Sequence, residues 1–157
     1  FIGFIISAMN LRTLKHQPDF ESINFGQFVD LDCFVSLGIE KHIEAILEIL
    51  DVDTPWANEA LASVEQYIKW RTSIYKQYAQ LFGIKEGDED LVDVAEFNPK
   101  DVSRGWYQII VELAGEDILK MDQITEEPLH KVLTFLQIKK EKAIAAAQQA
   151  RKQKIKS

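Results

Sequence analysis

Apolar residues recur every three or four positions through most of this chain, the period of helices that bury one face. Asn24, with Gln27 three residues on, has the register of a capping box, and Gly38 supplies a stop. Between them the pattern predicts a helix over 25–37 that buries Phe28, Leu31, Phe34 and Val35. A second helix over 39–50 carries Ile39, Ile43, Ile46, Leu47 and Leu50, and the short connection makes the two an antiparallel or steeply crossed pair. Thr54-Pro55 reads as an N-cap followed by proline at the first helical position. It opens the longest predicted helix, 55–82, with Trp56, Ala60, Leu61, Val64, Tyr67, Ile68, Ile74, Tyr75, Tyr78, Leu81 and Phe82 on its apolar side and Gly83 at its end.

An acidic connector over 84–100 holds a candidate short strand at 91–94. Asp101 or Ser103 would cap a helix over 104–114 with Trp106, Ile109, Ile110 and Leu113 inward, and Gly115 breaks it. Residues 117–121 read as one further turn. Thr125 would cap a last helix, with Pro128 in its first turn and Leu129, Val132, Leu133, Leu136 and Ile138 packed on the body. After Ala143 the stripe weakens to alanine. The fold class is therefore mainly α: a single domain of five to six helices, with a long central helix, a protruding basic C-terminal helix and room for a short N-terminal strand. Its parts are an apolar docking segment and connector (1–23), a helical body (24–138) and a basic tail (139–157).

Charge sharpens this division. Residues 139–157 hold seven bases and one acid, Glu141, for a net of +6, whereas residues 1–138 hold eleven bases against twenty-four acids, a net of −13. A tail with so little apolar surface needs something outside the domain to hold it, whether protein, nucleic acid or water. The apolar fraction, 46%, excludes global disorder, and no apolar run is long enough to span a bilayer. A single cysteine, Cys33, excludes an intrachain disulfide. Residues 1–9 are apolar but lack the flanks of a signal peptide, and the missing initiator methionine fits a fragment or a proteolytically matured product.

No arrangement of residues carries catalysis. The loop from Asp88 through Asp90 and Asp93 has Asp93 at the sixth position and Pro99 at the twelfth, where a calcium loop needs Gly and Glu. His16, His42 and His130 lack ligand spacing, and Glu40, His42 and Glu44 point in different directions on a helix. Cys33 sits in a core-type run and reads as a small buried apolar side chain. Ser36, Ser63, Ser73 and Ser103 lack a nucleophile-elbow context, and no glycine loop could cradle phosphate. The aromatics and bases of 67–78 could stack on nucleic acid. On a helix, however, Tyr67, Trp70, Arg71, Ile74 and Tyr78 share one stripe, which reads as core with Arg71 clamping an acidic neighbour. The terminal basic helix is the better candidate for phosphate contact; its alternative is a solvated helix end whose cations suit the C-terminal dipole.

Two stretches carry a family resemblance: 23–31 (INFGQFVDL) with the helix ending in 44–50 (EAILEIL), and 106–114 (WYQIIVELA) running through 117–120 to Pro128 and Leu133 before a Lys-rich helix. Together they resemble small helical proteins of tailed bacteriophages, the tail-assembly-chaperone-like and accessory virion proteins. The resemblance implies a non-enzymatic structural or assembly role without a cofactor, in the virion or in the host cytoplasm during assembly. It implies other phage structural proteins (capsid, portal or tail) as partners, and leaves a homo-oligomer open. The residues singled out for contact are Phe1, Ile2, Phe4 and Ile5, and the bases Lys139, Lys140, Arg151, Lys152, Lys154 and Lys156. The alternative is a nucleic-acid-associated protein that contacts phage DNA through its basic terminal helix.

Overall fold

The computed structural model describes residues 18–84 and 99–156, with side chains over 18–84 and 100–153. A 3-10 turn over Phe20–Ser22 leads into α1 (Phe25–Leu37), α2 (Ile39–Ile49), α3 (Ala57–Gln77), the single turn α4 (Ala79–Phe82), α5 (Pro99–Leu113), α6 (Ile118–Thr125) and α7 (Leu129–Lys156). The fold is mainly helical, as the periodicity predicts. Among the described residues there is no strand, only an isolated antiparallel bridge between Asn24 and Pro128.

α1 is the hub, packing against α2, α5, α6 and α7. Its start is the capping box read from the sequence: Asn24 Oδ1 accepts from the Gln27 N–H at 2.8 Å, and Gln27 Oε1 from the Asn24 N–H at 3.0 Å. Its end is Gly38, whose φ of 110° suits glycine alone and whose N–H donates to the Phe34 and Val35 carbonyls. Phe25, Phe28, Leu31, Ile46, Tyr67 and Leu133 are wholly buried, so the core joins α1, α2, α3 and α7. α1 and α3 meet through large side chains, Phe28 lying edge-on to Trp70 with centroids 6.0 Å apart.

The structure corrects several boundaries. α3 begins at Ala57, not at Pro55: Thr54 Oγ1 accepts from the Trp56 N–H and donates to Glu59, leaving Trp56 63% exposed. The predicted helix over 55–82 breaks at Tyr78 (φ −108°, ψ 32°), and the longest helix is instead the C-terminal α7, 28 residues. α5 already runs from Pro99, so Asp101 and Ser103 lie inside it and cap nothing. Thr125 is the last residue of α6, its hydroxyl donating to the Asp122 carbonyl, and Asp117 is that helix's N-cap. Leu61 and Ile138, assigned to apolar stripes, are 53% and 46% exposed. The candidate strand at 91–94 lies outside the described residues.

The first turn of α1 lies hard against the end of α6. A Cβ on Gly26 would stand 2.8 Å from Thr125 Cβ and 3.1 Å from its carbonyl oxygen. Gly105, inside α5, would carry a Cβ with nothing within 4 Å. Gly26→Ala is therefore expected to destabilise by about 1–3 kcal/mol through overpacking. Gly105→Ala is expected to stabilise by about 0.5–1 kcal/mol through helix entropy. Urea denaturation of the two variants reads both signs.

Candidate functional site

The buried polar centre of the fold is Asp32, wholly inaccessible, on the inner face of α1. Arg71 and Tyr75, one turn apart on α3, and Trp106 on α5 converge on its carboxylate. Oδ1 accepts from Arg71 Nε at 2.6 Å and from the Tyr75 hydroxyl at 3.0 Å, and Arg71 Nη2 lies 2.6 Å from it. Oδ2 accepts from Trp106 Nε1 at 2.7 Å and faces the same hydroxyl at 2.9 Å. The Arg71 guanidinium also lies over the Tyr75 ring, 4.6 Å from its centroid. Aromatic rings close the box: Phe25 and Phe28 stand edge-on to Trp106, and Phe82 stacks on Tyr75 at 4.2 Å. The clamp foreseen for Arg71 is thus present, and its acidic partner is Asp32.

Every group facing the carboxylate is a donor, and together they fix its orientation between α3 and α5. Burial alone would lower the Arg71 pKa, but the Asp32 charge more than offsets it and the guanidinium is held above its usual value. Burial, then the Asp32 charge, pushes both the Tyr75 and Tyr67 phenols up. The Tyr67 hydroxyl is buried with no hydrogen-bond partner among the described residues. Burial and the charges of Asp32 and Asp30 raise the half-buried Cys33 thiol from 9.0 to about 11, far from the thiolate a nucleophile needs. Among the described residues, no three His, Cys, Asp or Glu side chains could hold a metal ion, and no helix is long and apolar enough to cross a membrane.

The bases singled out in the sequence fall into two groups. Lys139 and Lys140 tie α7 to the body: Lys139 Nζ pairs with Glu112 on α5, and Lys140 Nζ donates to the Leu81 carbonyl of α4 at 2.8 Å. Upstream, the Tyr78 hydroxyl meets His130 Nδ1 at 2.9 Å. Beyond Lys140 every side chain from 141 to 153 is exposed, Arg151 and Lys152 included. Lys154 and Lys156 continue the helix; their side chains lie outside the described ones, as do Phe1, Ile2, Phe4 and Ile5 altogether. No family model matches the chain, and no curated protein or solved structure is significantly similar to it.

Asp32→Asn keeps the size of the side chain but leaves Arg71 buried without a counter-charge. A loss of about 3–5 kcal/mol is expected in denaturant titration. A loss below about 1 kcal/mol would mean that the pair does not organise the core.

The raised phenols and thiol set a pH window. The folded chain keeps protons on Tyr67, Tyr75 and Cys33 that the unfolded chain releases. Their contribution is complete below the ordinary thiol and phenol values and is lost as pH rises through the higher folded ones. Melting temperature should hold to about pH 8.5 and fall above it. Tyr67→Phe removes one of these protons together with an unpartnered hydroxyl. It is expected to flatten that fall and to gain about 1 kcal/mol at neutral pH.

Proposed function

We propose that this chain is a non-enzymatic structural or assembly protein of a tailed bacteriophage that acts by docking to other virion proteins. The docking part rests on one observation: α7 is anchored in the core by Leu129, Val132, Leu133 and Leu136, then continues as an exposed helix over 141–153. A helix held rigidly at one end and bare at the other is a preformed ligand for a groove or a charged surface. The phage part rests on the resemblance carried by 23–31, 44–50 and 106–133. Docking needs no cofactor and takes place in the virion or in the host cytoplasm during assembly.

Lys139 and Lys140 hold the helix in place, so the docking bases are Arg151, Lys152, Lys154 and Lys156. Replacing these four by Glu should leave melting temperature unchanged and abolish retention of the chain in particles purified from the producing cells, read by mass spectrometry. Unchanged retention removes the tail from the reading. A chain absent from the particles, whose tail binds duplex DNA with affinity falling by decades between low and physiological salt, would favour the nucleic-acid role instead.

A further inference from the structure

The exposed helix has a counterpart on the body. Between α2 and α3 lies a groove of about 500 Å³ lined by the apolar Ile39, Leu61, Val64 and Ile68 together with Glu65 and Lys69. Leu61 is 53% exposed there. α2 reaches the groove through Ile39, its first residue, and carries Glu40, Glu44 and Glu48 at every fourth position, with Asp51 two residues past its end. All four are exposed, and among the described residues none is in an ion pair.

The tail matches this surface in chemistry and length. Its middle, 143–150, is eight uncharged residues, five of them alanine and one Ile144, 39% exposed. Lys142 precedes that stretch, and Arg151 and Lys152 follow it. A helix tracking phosphates would carry bases on every turn, whereas small side chains between two basic ends suit a shallow apolar groove beside acids. From Lys142 to Lys152 is about 15 Å of helix, against about 12 Å from Glu40 to Glu48 on α2.

The tail cannot reach its own groove. No glycine or proline follows Pro128, so nothing breaks α7, and residues 141–156 carry it about 24 Å away from the body. The occupant must come from another molecule. A second copy brings a helix of net +4 over 141–156 to a body of net −11 over 1–140, while that same body would repel nucleic acid.

We propose that the occupant is a second copy of this chain: the helix over 141–156 of one molecule seats in the α2–α3 groove of the next, its bases against Glu40, Glu44, Glu48 and Asp51. The contact is heterologous, since tail and groove are different surfaces, so copies add head to tail into a ring or an open filament. This rests on the docking reading above and names the partner of the same helix.

Sedimentation equilibrium of the full chain tests it. At low salt, assemblies larger than dimers should form at about 100 µM and weaken as salt rises. Two exposed triple reversals, Glu40/Glu44/Glu48→Lys and Lys142/Arg151/Lys152→Glu, should each weaken association by about tenfold or more at unchanged melting temperature. Mixing them should restore a complex, because the acidic tail of one then faces the basic groove of the other. Leu61→Asp, at an exposed groove position, gives a second loss independent of the charges on α2. A chain that stays monomeric, reversals that associate like wild type, or a mixture with no complex would each overturn the proposal. If the chain is monomeric yet its tail variant is still lost from particles, self-association fails while docking to other proteins stands.

Discussion

The carboxylate of Asp32 fixes what the apolar core leaves free. α1 is apolar on several sides, burying Phe25, Phe28, Val29 and Leu31, and it meets α2, α3, α5, α6 and α7. Apolar contact has no direction, so such a helix could turn about its axis among its neighbours at little cost. One buried anion removes that freedom. Arg71 and Tyr75 reach it from α3 and Trp106 from α5, at 2.6–3.0 Å, and a rotation of α1 by one residue would leave all of them unpaired. Desolvating the ion pair opposes much of its attraction, so the centre contributes specificity of packing more than net stability.

The aromatic box belongs to the same device. Phe25, Phe28 and Phe82 exclude water from the Asp32 pair and place ring edges or faces against Trp106 and Tyr75. In that dry setting each hydrogen bond is stronger and each unpaired donor costlier. The Tyr67 hydroxyl is the exception, buried without a partner among the described residues beside the satisfied Asp32 cluster. Its ring, wholly buried against Phe20 and Trp70, accounts for the residue.

Where backbone punctuation is local, the sequence is legible. Asn24, Gln27 and Gly38 act on their own peptide groups, and α1 has the bounds their positions predict. The failures arise where distant packing decides. Thr54 and Asp101 have the chemistry of caps, yet the chain enters α3 and α5 elsewhere. Asp32 was missed because an acid in an apolar run, here with Asp30 two residues before it, reads as a solvent-facing position, and its partners lie 39, 43 and 74 residues away. A signal was present: Asp32 follows Phe28 by four residues and Phe25 by seven, on the core stripe of α1. Arg71 holds the matching place on α3, four after Tyr67. Opposite charges on two core stripes imply that they meet. The basic tail was legible as a tail, but the division of its bases at Lys140 was not, because Glu112 and Leu81 are brought to α7 by the fold.

α7 is one helix under two regimes. Up to Lys140 it is held by burial; beyond, its side chains over 141–153 are exposed and it depends on local terms. Those terms suffice because the buried half supplies the nucleus that an isolated helix would have to form, so each further residue only propagates. Alanine, glutamine, lysine and arginine are strong propagators, and the final cations face the negative end of the helix dipole. A tail ordered in this way loses little conformational freedom when a partner covers it, and no body contact has to break first. The segregation of charge has the same consequence. The tail's +6 could have been spread over the body to relieve the self-repulsion of −13 there. Instead, a net of +4 sits on the rod beyond Lys140, which supports the proposal that a second surface neutralises it.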